Sequence, residues 1–159
     1  MNWIEFEDAA PSLAYLGRQR FEATHVALLG TLRQDGSPRI SPIEPYLELG
    51  HLLLGTLAGS HKAVDLAHDP RCTVHSSVSD VNGSEGEFKL HGRAVLMTDP
   101  ALLQGDYEAW WTANDAAESR VFSIDIASAA HIAWDIGKGE MTILRWNPAA
   151  GLESSMRPY

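Results

Sequence analysis

The chain has 159 residues, 45% of them apolar, which is enough for one compact domain spanning residues 1–159 and leaves little room for a second. Its formal charge of -9 and the lack of any basic stripe argue against nucleic acid as a partner. The single cysteine, Cys72, excludes an internal disulfide and a zinc site built on several thiolates.

The opening residues Met1 to Asp8 are acidic where a secretory signal would be basic, and no apolar run approaches the roughly 18 residues of a membrane span. The expectation is a cytoplasmic protein with no membrane partner. Trp3 and Phe6 are aromatic residues suited to a dimer interface. From Pro11 to Phe21, Leu13, Leu16 and Phe21 with Tyr15 suggest a short amphipathic helix, weakened by Gly17. Thr24 to Leu32 reads as a strand, Gln34-Asp35-Gly36-Ser37 as a tight turn, and Arg39 to Leu49 as a second strand. Pro38, Pro42 and Pro45 lack amide donors, so this second strand belongs at an edge, at a bulge, or open to a ligand. After a turn at Gly50-His51, Leu52 to Thr56 makes a third, buried strand, giving a three-stranded meander.

Ser60 is placed to cap a helix from His61 to His68 that Asp69-Pro70 stops. Cys72 to Ser77 and Glu87 to Met97 follow as strands joined by a polar loop. Asp99-Pro100 starts a helix expected to run through Leu103 and Tyr107 to Trp110 or Trp111, with those indoles in the core. Val121 to Ile126, His131 to Ile136 and Met141 to Trp146 complete the set as three short strands. Many antiparallel strands with two or three helices make the fold mainly β (α+β): a six- to eight-stranded antiparallel split β-barrel with peripheral helices.

The segment Thr56-Leu57-Ala58-Gly59-Ser60-His61-Lys62 sets two hydroxyls, a glycine and a cation at a strand-to-helix junction. Amides of a first helical turn point at an incoming anion, Ser60 can donate, Gly59 allows close approach and Lys62 adds a full charge, so the junction suits a phosphate. A plain capped helix with a solvated lysine satisfies the same residues. His61, Asp65 and His68 share a helical face, but without a third histidine nearby or an H-E-x-x-H motif no metal is expected. His25, His75, His91 and His131 fall in strands, packed or solvated, and Cys72 reads as a buried, inert thiol.

Taken in order, the Asp35-Gly36 turn, Gly36-Ser37-Pro38-Arg39-Ile40-Ser41-Pro42, the Thr56 to Lys62 junction, Asp69-Pro70-Arg71 and Glu87 to Ala94 resemble the pyridoxamine 5'-phosphate oxidase superfamily over roughly residues 22 to 98. The resemblance implies a C2 homodimer with FMN in a cleft between subunits. Arg39 would contact the phosphate or ribityl region, Ile40, Ser41 and Pro42 would line the ring, and Thr56, Ser60, His61 and Lys62 would hold the phosphate. Glu87 stands where the oxidase proper has a glutamine touching the ring, a contact open to donation by the partner subunit. Leu144-Arg145-Trp146-Asn147 does not reproduce the oxidase's C-terminal R-L-H element, so pyridoxamine phosphate is not the expected substrate. Three functions stay open: an FMN-dependent oxidoreductase acting on an unidentified small molecule, a reductase using the deazaflavin coenzyme F-420, and a flavin- or haem-binding module without turnover.

Overall fold

The computed structural model describes residues 1–104, 108–112 and 118–158. Helix α1 (Trp3–Ala9) starts with a reciprocal cap: the Asn2 side chain accepts from the Glu5 amide at 3.0 Å, and the Glu5 carboxylate accepts from the Asn2 amide at 2.8 Å. Helix α2 (Pro11–Thr24) has proline in its first turn, where no amide is needed, and ends on His25 in the left-handed region at φ 54°. It is longer than the sequence pattern suggests, absorbing Thr24, and the buried face is Leu13, Ala14, Gly17, Arg20 and Phe21. Tyr15, assigned to the apolar face from sequence, is 60% exposed.

Trp3 and Phe6 correct a second expectation. They are 1% and 0% exposed within this one chain, where edge-to-face contacts join Trp3 to Phe88 and Phe6 to Trp146, so they anchor the core and offer nothing to an interface.

The described residues form nine strands: β1 (Ala27–Leu32), β2 (Pro38–Ile43), β3 (Pro45–Glu48), β4 (His51–Leu57), β5 (Arg71–Ser76), β6 (Glu87–Leu96), β7 (Ser119–Asp135), β8 (Glu140–Asn147) and β9 (Gly151–Pro158). Helix α3 (His61–His68) lies between β4 and β5, and α4 (Pro100–Leu103) between β6 and β7. Every pairing is antiparallel, and seven strands follow the path β2-β1-β5-β6-β7-β4-β3, with β8 on β7 and β9 on β8. The fold is a mainly antiparallel split barrel whose sheet does not close.

The break between β2 and β3 has a local cause. β2 and β3 are consecutive in sequence yet occupy opposite edges of the path, separated by Glu44 between Pro42 and Pro45. Two residues without N–H groups on either side of that break cannot continue a ladder. The expected three-stranded meander is therefore two hairpins, β1–β2 and β3–β4. The first turns at Gly36 (φ 81°), the second through Leu49 and Gly50, both at positive φ as a twisted two-residue turn requires.

Along β1, β5 and β6 the alternation places Leu29, Val74, Phe88 and Leu90 inside, while Leu28 and His91, with Ile40 of β2, face outward. The two strands expected at Val121 and His131 are one strand, β7, paired along its length with β6, β4 and β8. The weak strand formers from Ala127 to Ala130 are carried by that pairing: Ser128 is held by β6, Ala129 and Ala130 by β6 and β8, and Ala127 sits at the irregularity opposite His91 and Gly92. β9 has no counterpart in the sequence reading: its two large apolar residues, Leu152 and Met156, are exposed and lack an apolar alternation. In α4 the Asp99 cap and Pro100 start are present, but the helix ends at Leu103. Tyr107 lies outside the described residues, and Trp110 and Trp111 sit in a turn, with Trp111 in a core cluster beside Leu53, Leu102 and Val121.

Candidate functional site

β4 delivers the chain to a tight turn, with the Ser60 amide donating to the Leu57 carbonyl at 3.0 Å, and α3 begins at once. Ser60 is extended (φ -70°, ψ 148°), and its hydroxyl oxygen accepts from the Ala63 amide at 3.4 Å, as the sequence anticipates. Among the described residues none accepts the hydroxyl proton, which leaves it for an external acceptor. Lys62 crosses to β2, donating from Nζ to the Pro42 carbonyl at 2.6 Å. These residues surround a cavity of about 290 Å³ whose walls include Pro42, Glu44, Thr56, Ser60, Lys62 and Trp110. Burial draws the Lys62 ammonium below the usual lysine value, and the Glu44 carboxylate opposes that shift.

Of the nine residues singled out, the structure gathers Pro42, Thr56, Ser60 and Lys62 around this cavity. Thr56 is buried on its wall with its hydroxyl donating to the Arg120 carbonyl of β7 at 3.1 Å, so that proton is committed to the sheet. His61 lies exposed on the first turn of α3. Ser41 is half-buried on β2 between the two ends of the site.

Arg39 and Ile40 line a neighbouring groove of about 530 Å³ with Gly30, Thr73, His91 and Arg93. Ile40 is 72% exposed there. Arg39 is tied to α3: its Nε donates to Asp65 Oδ2 at 2.6 Å, and Thr31 Oγ1 donates to the same oxygen at 2.8 Å. Burial pushes the Asp65 carboxyl up, but the hydrogen bonds from Arg39 and Thr31 outweigh it and hold it below its ordinary value. Asp65 follows His61 and Lys62 by four and three residues, within one turn on the helix surface. That spacing is the sequence feature that could have nominated it; Thr31 and Glu44 carried none.

Glu87 opens β6, accepting from Lys89 Nζ at 2.8 Å and lying 3.4 Å from His75 Nε2. Between β6 and β2 stand β5 and β1, so three strand spacings, about 14 Å, separate it from β2 within one subunit. Cys72 is buried, and desolvation pushes its thiol up to about 12, which leaves it protonated and inert.

The family model described as pyridoxamine 5'-phosphate oxidase matches residues 17–133. The chain belongs to this family. Among solved structures it is similar to a pyridoxamine 5'-phosphate oxidase-related, FMN binding protein from Nostoc punctiforme, at 14% identity over 94% of this chain and 96% of that one, with a TM-score of 0.61. PhzG from Burkholderia lata, in complex with tetrahydrophenazine-1-carboxylic acid, aligns at 10% identity over 94% and 89% with a TM-score of 0.67. A heme binding protein from Mycobacterium smegmatis aligns at 15% identity over 94% and 89% with a TM-score of 0.66. At these identities the structures establish a shared fold. No curated protein sequence matches the chain.

The FMN that this family implies can be tested against the residues present. A phosphate fits the α3 start: Ser60 has a free proton, Lys62 has donor capacity beyond its one bond to Pro42, and a Cβ built on Gly59 would meet nothing within 4 Å. A cavity of about 290 Å³ is at the small end of the roughly 300–1,000 Å³ of ligand pockets, so it accommodates the phosphate end and leaves the ring to lie outside. The residues fit the group at that end. Among the described residues no helix is long and apolar enough to cross a membrane.

Proposed function

We propose that this chain is a cytoplasmic, FMN-dependent oxidoreductase of the pyridoxamine 5'-phosphate oxidase family, acting as a homodimer on an unidentified small molecule. The observation that carries the reading is the cavity at the start of α3, where a helix N-terminus, the Ser60 hydroxyl and Lys62 converge on one small space. Ser60 and Lys62 would hold the phosphate, Pro42 and Trp110 would bound the ribityl region, and the outward side of β2 with Ile40 would face the ring. When bound, the flavin supplies the redox chemistry. The chain supplies oriented donors at the phosphate and an apolar wall that excludes water. Leu28 and Ile40, exposed on the outward face of β1 and β2 and diagonal to one another in the register, favour burial by a second copy, which would also bring another Glu87 to the site.

The coenzyme F-420 reading rests on the same elements, because a deazaflavin also carries a phosphate at the end of its ribityl chain. The test is the purified protein's spectrum together with mass spectrometry of the supernatant after denaturation. FMN predicts an absorbance band near 450 nm, about where flavins absorb, and a matching released mass. Release of a deazaflavin would replace the cofactor and keep the site. A Soret band with no flavin uptake would overturn the flavin reading in favour of a haem module.

A further inference from the structure

Arg39 is anchored to α3 by one edge of its guanidinium, through Asp65. An arginine–carboxylate pair frequently engages two nitrogens of the guanidinium with both carboxylate oxygens, as Arg71 does with Asp69. Asp65 instead accepts from Nε with one oxygen, Oδ2, and the same oxygen is fixed by the Thr31 hydroxyl. Nη1 and Nη2 make no hydrogen bond to any described residue, and the Arg39 side chain keeps 22% of its surface open. The carboxylate is 4% exposed, and burying such a pair seldom repays its desolvation as stabilisation alone. A planar donor fork held by its back edge, at a carboxylate one helical turn from Lys62, with its front edge unpaired among the described residues, has the form of an anion clamp.

We infer that Asp65 and Thr31 are positioning residues that hold the Arg39 guanidinium edge-on, so that its Nη1 and Nη2 groups recognise the cofactor's phosphate together with Ser60 and Lys62. This rests on the flavin reading above. Because Asp65 cancels the charge of Arg39, the clamp contributes direction, and the net charge comes from Lys62.

The experiment compares FMN with riboflavin, the same ring and ribityl chain without a phosphate, by quenching of tryptophan fluorescence on the full chain. The variants conserve charge: Asp65→Glu displaces the carboxylate by one methylene, and Thr31→Val removes one hydrogen bond without changing shape. The preference for FMN over riboflavin should fall roughly tenfold in Asp65→Glu and about threefold in Thr31→Val, while riboflavin affinity holds, the scale of one or two charge-assisted hydrogen bonds. In an Arg39→Gln background neither change should reduce the preference further. Equal weakening of both ligands would mark a purely structural pair and overturn the inference, as would an FMN preference unchanged in both variants. If Asp65→Glu does not fold, Thr31→Val decides alone. A wild-type chain that binds FMN no better than riboflavin overturns the flavin reading and this inference with it; a preference that survives the variants overturns the inference only.

Discussion

Replacing Gly17 by alanine sets two well-measured effects against each other. In the interior of α2 alanine is favoured over glycine by about 0.8–1.0 kcal/mol, so a reading of the helix alone makes the variant more stable. The packing opposes this. A Cβ at position 17 would lie 2.6 Å from Cζ and 2.8 Å from Cε1 and Cε2 of Phe88, far inside the roughly 3.5–4.0 Å of an optimal carbon contact. Phe88 cannot yield easily: it is fully buried, with Phe21 edge-on at 5.5 Å and Trp3 at 6.3 Å. Overpacking of this kind costs about 1–3 kcal/mol, and the short contact puts it in the upper part of that range. The balance is a loss of about 1–2 kcal/mol, or a fall in Tm of about 2–8 °C for a chain of this size. Urea unfolding followed by circular dichroism should show a lower midpoint with unchanged slope. The same substitution in a Phe88→Leu background should instead stabilise by about 1 kcal/mol, because the obstruction is gone and the helical preference remains. A Gly17→Ala chain at least as stable as the wild type would refute the argument.

Lys62→Ala should weaken FMN by about 1.5–3 kcal/mol, and unchanged affinity by fluorescence titration would remove the phosphate from the start of α3. The Glu85 carboxylate, held down to about 2 by the amides of Asp80 and Ser79 and by Arg20, contributes stability that is fully present above its ordinary value of 4.5 and lost as pH falls toward 2. The protection of the Ser79 and Asp80 amides, measured as the exchange rate relative to an unstructured peptide at the same pH, should therefore fall across that window in the wild type and be low and flat in Glu85→Gln. Cys72, buried and with its thiol raised to about 12, should resist alkylation at neutral pH until the chain is unfolded, and rapid labelling of the native protein would contradict its placement.

The features legible in the amino-acid sequence are those whose partners lie a few residues away. The Asp35-Gly36 turn, the Ser60 cap, the Asp69-Pro70 stop and the Asp99-Pro100 start all form as expected, because each is a contest between a side chain and backbone groups two or three positions distant. Three prolines marked Arg39 to Leu49 as a strand at an edge, at a bulge or open to a ligand, and β2 and β3 are both edges of the path. The prolines did not show that the two would part to opposite ends of the sheet, since that depends on which strands β1 and β4 pair with on their other sides. The candidate site divides along the same line. Ser60 and Lys62 are one local motif, whereas Arg39 meets Asp65 across 26 residues and Thr31 meets it across 34. Trp3 and Phe6, mistaken for interface aromatics, find Phe88 and Trp146 only when the chain is folded. Sequence determines local geometry through short-range hydrogen bonds and backbone limits; the tertiary structure decides which distant groups become neighbours, because burial rewards contact regardless of separation along the chain.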